Sequence, residues 1–531
     1  MNNNHFLKSA VALAAFAVAP FFADAQKANW QNMDLKTDSV FGIDTDKAYK
    51  ELLKGKKSTP VIVAVNDGGV DYQHEDLKRV IWVNKKEIAG NGKDDDKNGY
   101  IDDVHGWNFI GGPKESVNYE TLELTRLVRR DQQRFAGTTD ANVAEKDLAD
   151  FAAFKAARAD MEKQLAEARS GLANYRGLKT ALDETVKKMG KEKPTAEDFA
   201  NFKPTNQAET SIQNIMANVL KDMSFEEFYN GELQEGLDYF GRQADYNLNI
   251  DYDPRGIVGD DPNNSEEKFY GNNDITGPDA LHGTHVAGII GADRTNTIGI
   301  NGVADNVLIM GVRCTPNGDE RDKDVANGIR YAVDNGAKVI NMSFGKAYSW
   351  DKKVVNEAMK YAASKDVLIV QAAGNENKNI DVENNFPNHK DLDEKTIAAW
   401  ITVGASGPTD DATLKASFSN YGKTQVDVFA PGVQIYSTIP GSKYKKLDGT
   451  SMASPVVAGL AGLIRSYYPK LTAAQVKEII VKSVVKVNHN VEYAKSDEQD
   501  AEKVSVPFSD LCISGGIVNA YNALKLAATY K

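Results

Sequence analysis

Short runs of apolar, β-branched residues punctuate the chain at Val61 to Val65, Val307 to Val312, Lys338 to Met342, Val367 to Ala373, Ile401 to Ala405 and Val426 to Ala430. Runs that are apolar throughout, instead of alternating, predict strands covered on both faces. Between them the apolar positions fall at helical spacing over Asp322 to Asn335, Lys352 to Ser364, Thr450 to Tyr468 and Ala473 to Val484. Buried strands separated by helices predict a doubly wound, mostly parallel α/β sheet with right-handed crossovers.

A second pattern interrupts the first. From about Pro113 to Ile250 the composition turns to Lys, Glu, Ala and Leu, with apolar residues at Leu148, Phe151, Phe154, Met161, Leu165, Leu172, Tyr175, Leu178, Leu182, Val186 and Met189. Gaps of three, four and their sums are the mark of an amphipathic helix. Residues 113–250 therefore read as a helical insertion, available for contact with a partner; the alternative is a solvated arm. Lys193-Pro194-Thr195 opens a new segment after that helix.

Composition narrows the class. With 531 residues, 41% of them hydrophobic, the chain can bury one large core and still carry the insertion. The formal charge of −12 and the lack of any basic block interleaved with aromatics argue against nucleic acid as a partner. Lys8, an apolar run from Ala10 to Phe22 and then Ala23-Asp24-Ala25 give residues 1–25 the form of an export signal. The alternative, a membrane anchor, is disfavoured by the shortness of the run and by Pro20. No later apolar stretch reaches spanning length, so a protein exported to the periplasm, cell surface or medium is expected, with a short N-terminal segment over 26–57. Cys314 and Cys512 are too few for a disulfide scaffold; pairing with each other and burial as small apolar residues both stay open.

Three segments carry reactive groups beside this framework. Val61-Ile62-Val63-Ala64-Val65-Asn66-Asp67 ends an apolar run in a carboxylate, His282-Gly283-Thr284-His285 presents an imidazole, and Gly449-Thr450-Ser451-Met452-Ala453-Ser454-Pro455 places a hydroxyl at the opening of an apolar helix. Amide hydrolysis needs such a nucleophile, a base, a group to orient the base and donors for the oxyanion. The order Asp, His, Ser resembles the subtilisin-like serine proteases. That resemblance covers residues 58–110 and 255–531, and it implies a peptidase domain over 58–531 interrupted by the insertion. It implies Ser451 as nucleophile, His282 as base, Asp67 as its orienting carboxylate and Asn375, in Ala373-Gly374-Asn375-Glu376, as a side-chain oxyanion donor.

The same resemblance assigns Ser343, Phe344 and Gly345, with Gly374, to the binding of an extended protein or peptide substrate. It also places Phe386-Pro387 where the family often has a cis bond. Acidic residues Glu320, Glu376 and Asp381 to Glu383 suggest a preference for basic side chains near the cut. Two departures stand out: Gly68 occupies the place of a hydroxyl residue that would help fix the carboxylate, and Leu281 replaces a small residue.

One further loop has metal-ligand spacing. Asp94, Asp96, Asn98, the Tyr100 carbonyl and Asp102 alternate around Gly99 as in an EF-hand-type loop, which points to a structural calcium ion, with Asp103 or a water closing the shell in place of a bidentate glutamate. A solvated acidic turn is the alternative. A weaker cation loop, Asn296 to Ile300 with Asp76, rests on the resemblance alone. The rival to an exported endopeptidase is an exported binding protein on an inactive scaffold.

Overall fold

The computed structural model describes residues 27–390, 392–494 and 502–530; the export segment read over residues 1–25 lies outside them. Two compact units emerge, one formed by Leu124–Asp253 and the other by Ala25–Glu123 with Pro254–Lys531.

After short helical turns between Trp30 and Leu53 come β1 (Val61–Asp67) and β2 (Gly106–Asn108), followed by four longer helices: α1 (Glu123–Arg134), α2 (Leu148–Met189), α3 (Gln207–Val219) and α4 (Leu233–Arg242). The alternating pattern then resumes with α5 (Leu281–Gly291), β3 (Val307–Arg313), α6 (Asp322–Asp334), β4 (Val339–Met342), α7 (Lys352–Ser364), β5 (Leu368–Ala372), β6 (Trp400–Ser406) and β7 (Val428–Pro431). A hairpin of β8 (Ile435–Ile439) and β9 (Lys443–Leu447) precedes α8 (Thr450–Tyr467) and α9 (Ala473–Lys482). Four short strands, β10 (Val485–Lys486), β11 (Asn490–Ala494), β12 (Lys503–Pro507) and β13 (Gly516–Ile517), lead to α10 (Ala520–Ala527).

Nine strands make one sheet in the order β10-β13-β7-β6-β5-β4-β1-β3-β2. All of its pairings are parallel except β10 with β13. This is the doubly wound α/β arrangement that the hydrophobic runs predict. Successive side chains of a strand face opposite ways. Val63 and Val65 accordingly join a core with Val286 and Ile290 of α5 and Val456, Leu460 and Ile464 of α8, while Ala64 joins another with Val325 and Ile329 of α6 and Val355 and Met359 of α7. Helix α8 is buried over nearly its whole circumference, which explains why its sequence is apolar all round and not striped.

The Leu124–Asp253 unit has a core of its own. The apolar stripe forms one helix of 42 residues, ended by Gly190 in the left-handed conformation, and Thr195 then opens the next segment with a reciprocal capping box. Leu182, Phe199, Ile212, Met216, Phe228 and Leu233 pack together, and Phe135, Phe151 and Phe154 form an aromatic group. Leu148, at the first position of α2, is exposed. Among the described residues no helix is long and apolar enough to cross a membrane. Cys314 and Cys512 are both free and buried.

Because Ile464 of α8 is fully buried against the sheet, Ile464→Ala should cost about 2–5 kcal/mol of stability through the cavity it leaves. Chemical denaturation would register this as a lower midpoint; an unchanged midpoint would contradict the packing.

Candidate active site

In a doubly wound sheet, functional groups gather beyond the carboxyl ends of the strands. Asp67 is the last residue of β1 and is only 2% exposed. A carboxylate so placed needs donors in exchange for lost water. Its Oδ1 accepts from the Gly68 amide at 2.7 Å and from His282 Nδ1 at 2.8 Å. Oδ2 is buried with no hydrogen-bond partner among the described residues, at the place where Gly68 provides no hydroxyl. The approach of α5 depends on Gly283, since a Cβ there would lie 2.2 Å from the Gly69 carbonyl oxygen.

A carboxylate oxygen facing Nδ1 can only accept, so Nδ1 carries the proton and Nε2 of a neutral ring is left with a free lone pair. Burial opposes charge on the His282 ring, but the Asp67 carboxylate and the bond to it more than offset this and raise its pKa above the ordinary value. His285 behaves differently. It is fully buried, its Nε2 bonds the Lys445 carbonyl at 3.0 Å, and burial pulls its pKa down to about 4. It is a neutral pin to β9.

Ser451 opens α8 and exchanges two bonds with Ser343, the residue after β4. Ser451 Oγ donates to the Ser343 carbonyl at 3.0 Å, and Ser343 Oγ donates to the Ser451 carbonyl at 2.9 Å. Pro455 explains the second bond: it lacks the N–H that would otherwise close the helical turn onto Ser451, so that carbonyl is free for Ser343. Among the described residues no hydrogen bond joins Ser451 Oγ to His282. Phe344 is half-buried and Gly345 exposed beyond Ser343.

Asn375 follows β5. Its Oδ1 accepts from both the amide and the hydroxyl of Thr450, each at 2.9 Å, and the Thr450 hydroxyl accepts from the Gly374 amide at 3.1 Å. An oxygen that receives two donors fixes which way round the amide sits, so Nδ2 is the free end. The part played by Thr450 escaped the sequence reading. Arg313, buried at the end of β3, donates to the carbonyl of Gly68 at 2.7 Å and to that of Val117 at 2.6 Å. An arginine closing an apolar strand is the signal that marks it. The Phe386–Pro387 peptide is cis. Of the acidic residues, Glu320 is buried, and the Asp381 carboxylate, half-buried, accepts from Thr424 and Gln425.

In the acidic loop, oxygens named by the spacing accept from backbone amides. Asp94 accepts from the amides of Asn98 and Gly99, Asn98 Oδ1 from that of Tyr100, and Asp102, with φ 55°, turns its carboxylate to the amides of Asn91 and Gly92. Among the described residues, three carboxylates come within 4.8 Å of one another, those of Glu87, Asp96 and Asp103. Glu87 Oε2 is buried with no hydrogen-bond partner among the described residues, and burial pushes the Asp103 carboxyl up to about 6. Three crowded acids, one with an oxygen left over, fit a hard cation. In the weaker loop, Asp76 accepts from Asn296 Nδ2 at 2.6 Å and the Ile300 amide at 3.0 Å.

Comparison with known proteins places this geometry in context. Residues 58–503 match the Subtilase family. A thermophilic serine proteinase of Bacillus sp. (strain AK1) is 39% identical over 244 residues, 46% of this chain and 52% of that protein. Thermitase of Thermoactinomyces vulgaris is 44% identical over 186 residues, 35% of this chain and 61% of its own length. Subtilisin DY of Bacillus licheniformis is 37% identical over 218 residues, covering 40% and 74%. The chain thus spans just over half the length of the first of these relatives.

The Asp67–His282 bond sets the titration of the ring. Replacing Asp67 with Asn removes the charge that favours the imidazolium, so the His282 pKa should fall, and the ring should become neutral at lower pH than in the wild type. An NMR pH titration reads this directly, and identical curves would show that the carboxylate does not govern the ring.

Proposed function

Because the chain belongs to the subtilase family, we propose that it is an exported serine endopeptidase whose catalytic groups are Asp67, His282, Ser451 and Asn375. The observation that carries this reading is the 2.8 Å bond from His282 Nδ1 to the buried Asp67 carboxylate, which leaves Nε2 as a base. The peptidase domain is taken as residues 58–531, with 113–250 inserted, and the signal-like pattern of residues 1–25 supports export.

Ser451 Oγ leaves the Ser343 carbonyl and attacks the scissile carbonyl carbon while its proton passes to His282 Nε2. Asp67 stabilises the imidazolium so formed. The oxyanion is met by Asn375 Nδ2 and the Ser451 amide. His282 then protonates the leaving amine as the C–N bond breaks, and an ester remains on Ser451. Water, losing a proton to His282, hydrolyses that ester; the acid departs and the proton returns to Ser451 Oγ. The backbone after β4 at Phe344 and Gly345, together with Gly374, would receive the peptide as an added strand.

A calcium ion at the acidic loop belongs to the same proposal. Glu87, Asp96 and Asp103 would hold it, Asp96 being common to the spacing of Asp94, Asp96, Asn98, Tyr100 and Asp102. Its role there is to neutralise crowded carboxylates, not to take part in the reaction.

A fluorophosphonate should label wild type at Ser451, and Ser451→Ala should abolish labelling and lower peptide hydrolysis about a millionfold without shifting the thermal midpoint. Wild type that is neither labelled nor active would favour the binding-protein alternative. Calcium at a hundred times its Kd should add about 2.7 kcal/mol to stability, seen as a higher thermal midpoint than in a chelator, and Glu87→Gln should shrink that difference. Equal midpoints with and without calcium would remove the ion from the account.

A further inference from the structure

An oxyanion donor works only if it stands where charge will develop, so the backbone that carries Asn375 must be held as firmly as its amide. Thr450 fixes the amide. The backbone is held from the other side by Asn420, a residue 2% exposed in the loop after Phe418. Asn420 Nδ2 donates to the Ala373 carbonyl at 2.9 Å and to Glu376 Oε2 at 2.6 Å. Its Oδ1 accepts from the Glu376 amide at 3.1 Å and the Lys378 amide at 2.8 Å. Its own amide donates to the Gly374 carbonyl at 2.9 Å.

Every donor and acceptor of that side chain is therefore spent on residues 373–378. The fit is tight at Gly374, whose φ is +100° and where a Cβ would lie 2.4 Å from Asn420 Nδ2. Ala373, Gly374, Glu376 and Lys378 bracket Asn375, so one buried amide fixes the segment on both sides of the oxyanion donor without touching Asn375 itself.

We propose that Asn420 is a positioning residue of the proposed peptidase, acting through Asn375 to hold the oxyanion donor in register. This rests on the serine-endopeptidase reading. Losing the amide leaves the Glu376 and Lys378 N–H groups without their partner and the Ala373 carbonyl with Asn385 Nδ2 alone, and the segment relaxes around Asn375. Gly374, the substrate-binding residue in this network, is held by the backbone amide of Asn420, which a side-chain substitution retains, so the effect falls on kcat more than on KM.

The test is a double-mutant cycle on the full chain with a chromogenic peptide, active enzyme being counted by fluorophosphonate titration. Asn420→Ala should lower kcat about ten- to a hundredfold with KM nearly unchanged, the loss expected when a catalytic group is misplaced by about 1 Å. Asn375→Ala alone should lower it about a hundred- to a thousandfold, the cost of removing the equivalent donor in a subtilisin. In the Asn375→Ala background, adding Asn420→Ala should cost less than about threefold, because the donor being positioned is gone. Equal losses in both backgrounds, or no loss in either, would overturn the inference. Should Asn420→Ala not fold, Asn420→Asp keeps the shape and the acceptor but removes both side-chain donors, and the same non-additivity is required of it. Wild type that Ser451→Ala leaves unchanged in activity would sink the parent reading and this inference with it; active wild type with additive losses sinks the inference alone.

Discussion

Asp67 is a charge held almost entirely out of water at the end of a strand that is otherwise apolar, and much of the surrounding architecture answers to that fact. An isolated carboxylate in such a place would take up a proton. Here one oxygen is met by the Gly68 amide and the His282 ring. The ring can reach it only because α5 passes close over Gly69, with a glycine at the contact. Arg313, anchored on the carbonyl of Gly68, stiffens the turn that follows. The second oxygen has no such partner, so orientation of the imidazole depends on a single bond where a hydroxyl at position 68 would have offered a further restraint to the carboxylate.

The sheet was readable because its strands are buried on both faces and so appear as unbroken apolar runs. Val307–Arg313 and Leu368–Ala372 are of this kind, and their observed limits differ from the pattern by a residue or two. The β8–β9 hairpin did not announce itself: Lys443–Leu447 is half-exposed and lysine-rich, so neither a continuous run nor a clean alternation marks it. Gly106–Asn108 and Gly516–Ile517 are too short to carry any period. Helix α2 was legible from its stripe, although Leu148, which belongs to that stripe in the sequence, sits at the first position and stays in water.

Within the site, the readable residues were those fixed by short local motifs: an acid closing a strand, an imidazole and a hydroxyl opening helices, an asparagine after a glycine. Thr450 and Asn420 act on partners far away in the chain through bonds that involve the backbone, and no spacing rule registers such contacts. The acidic loop is a different case. Its alternation of oxygens is plain, yet Asp102 turns away to cap Asn91 and Gly92, and Glu87, outside the motif, supplies the leftover oxygen. Local periodicity describes where ligands could stand on an ideal loop, whereas backbone amides compete for the same oxygens in this one.

Pro455 has an effect beyond its own position. By interrupting the ladder of helical bonds one turn into α8, it exposes a single acceptor, the Ser451 carbonyl, that the hydroxyl of Ser343 satisfies. Rotating α8 about its axis, or advancing it along the sheet, would strand that acceptor in a dry interior. The azimuth of a buried helix is thereby indexed to the strand beside it by an imino acid one turn downstream, and the direction in which the Ser451 side chain emerges is inherited from that indexing.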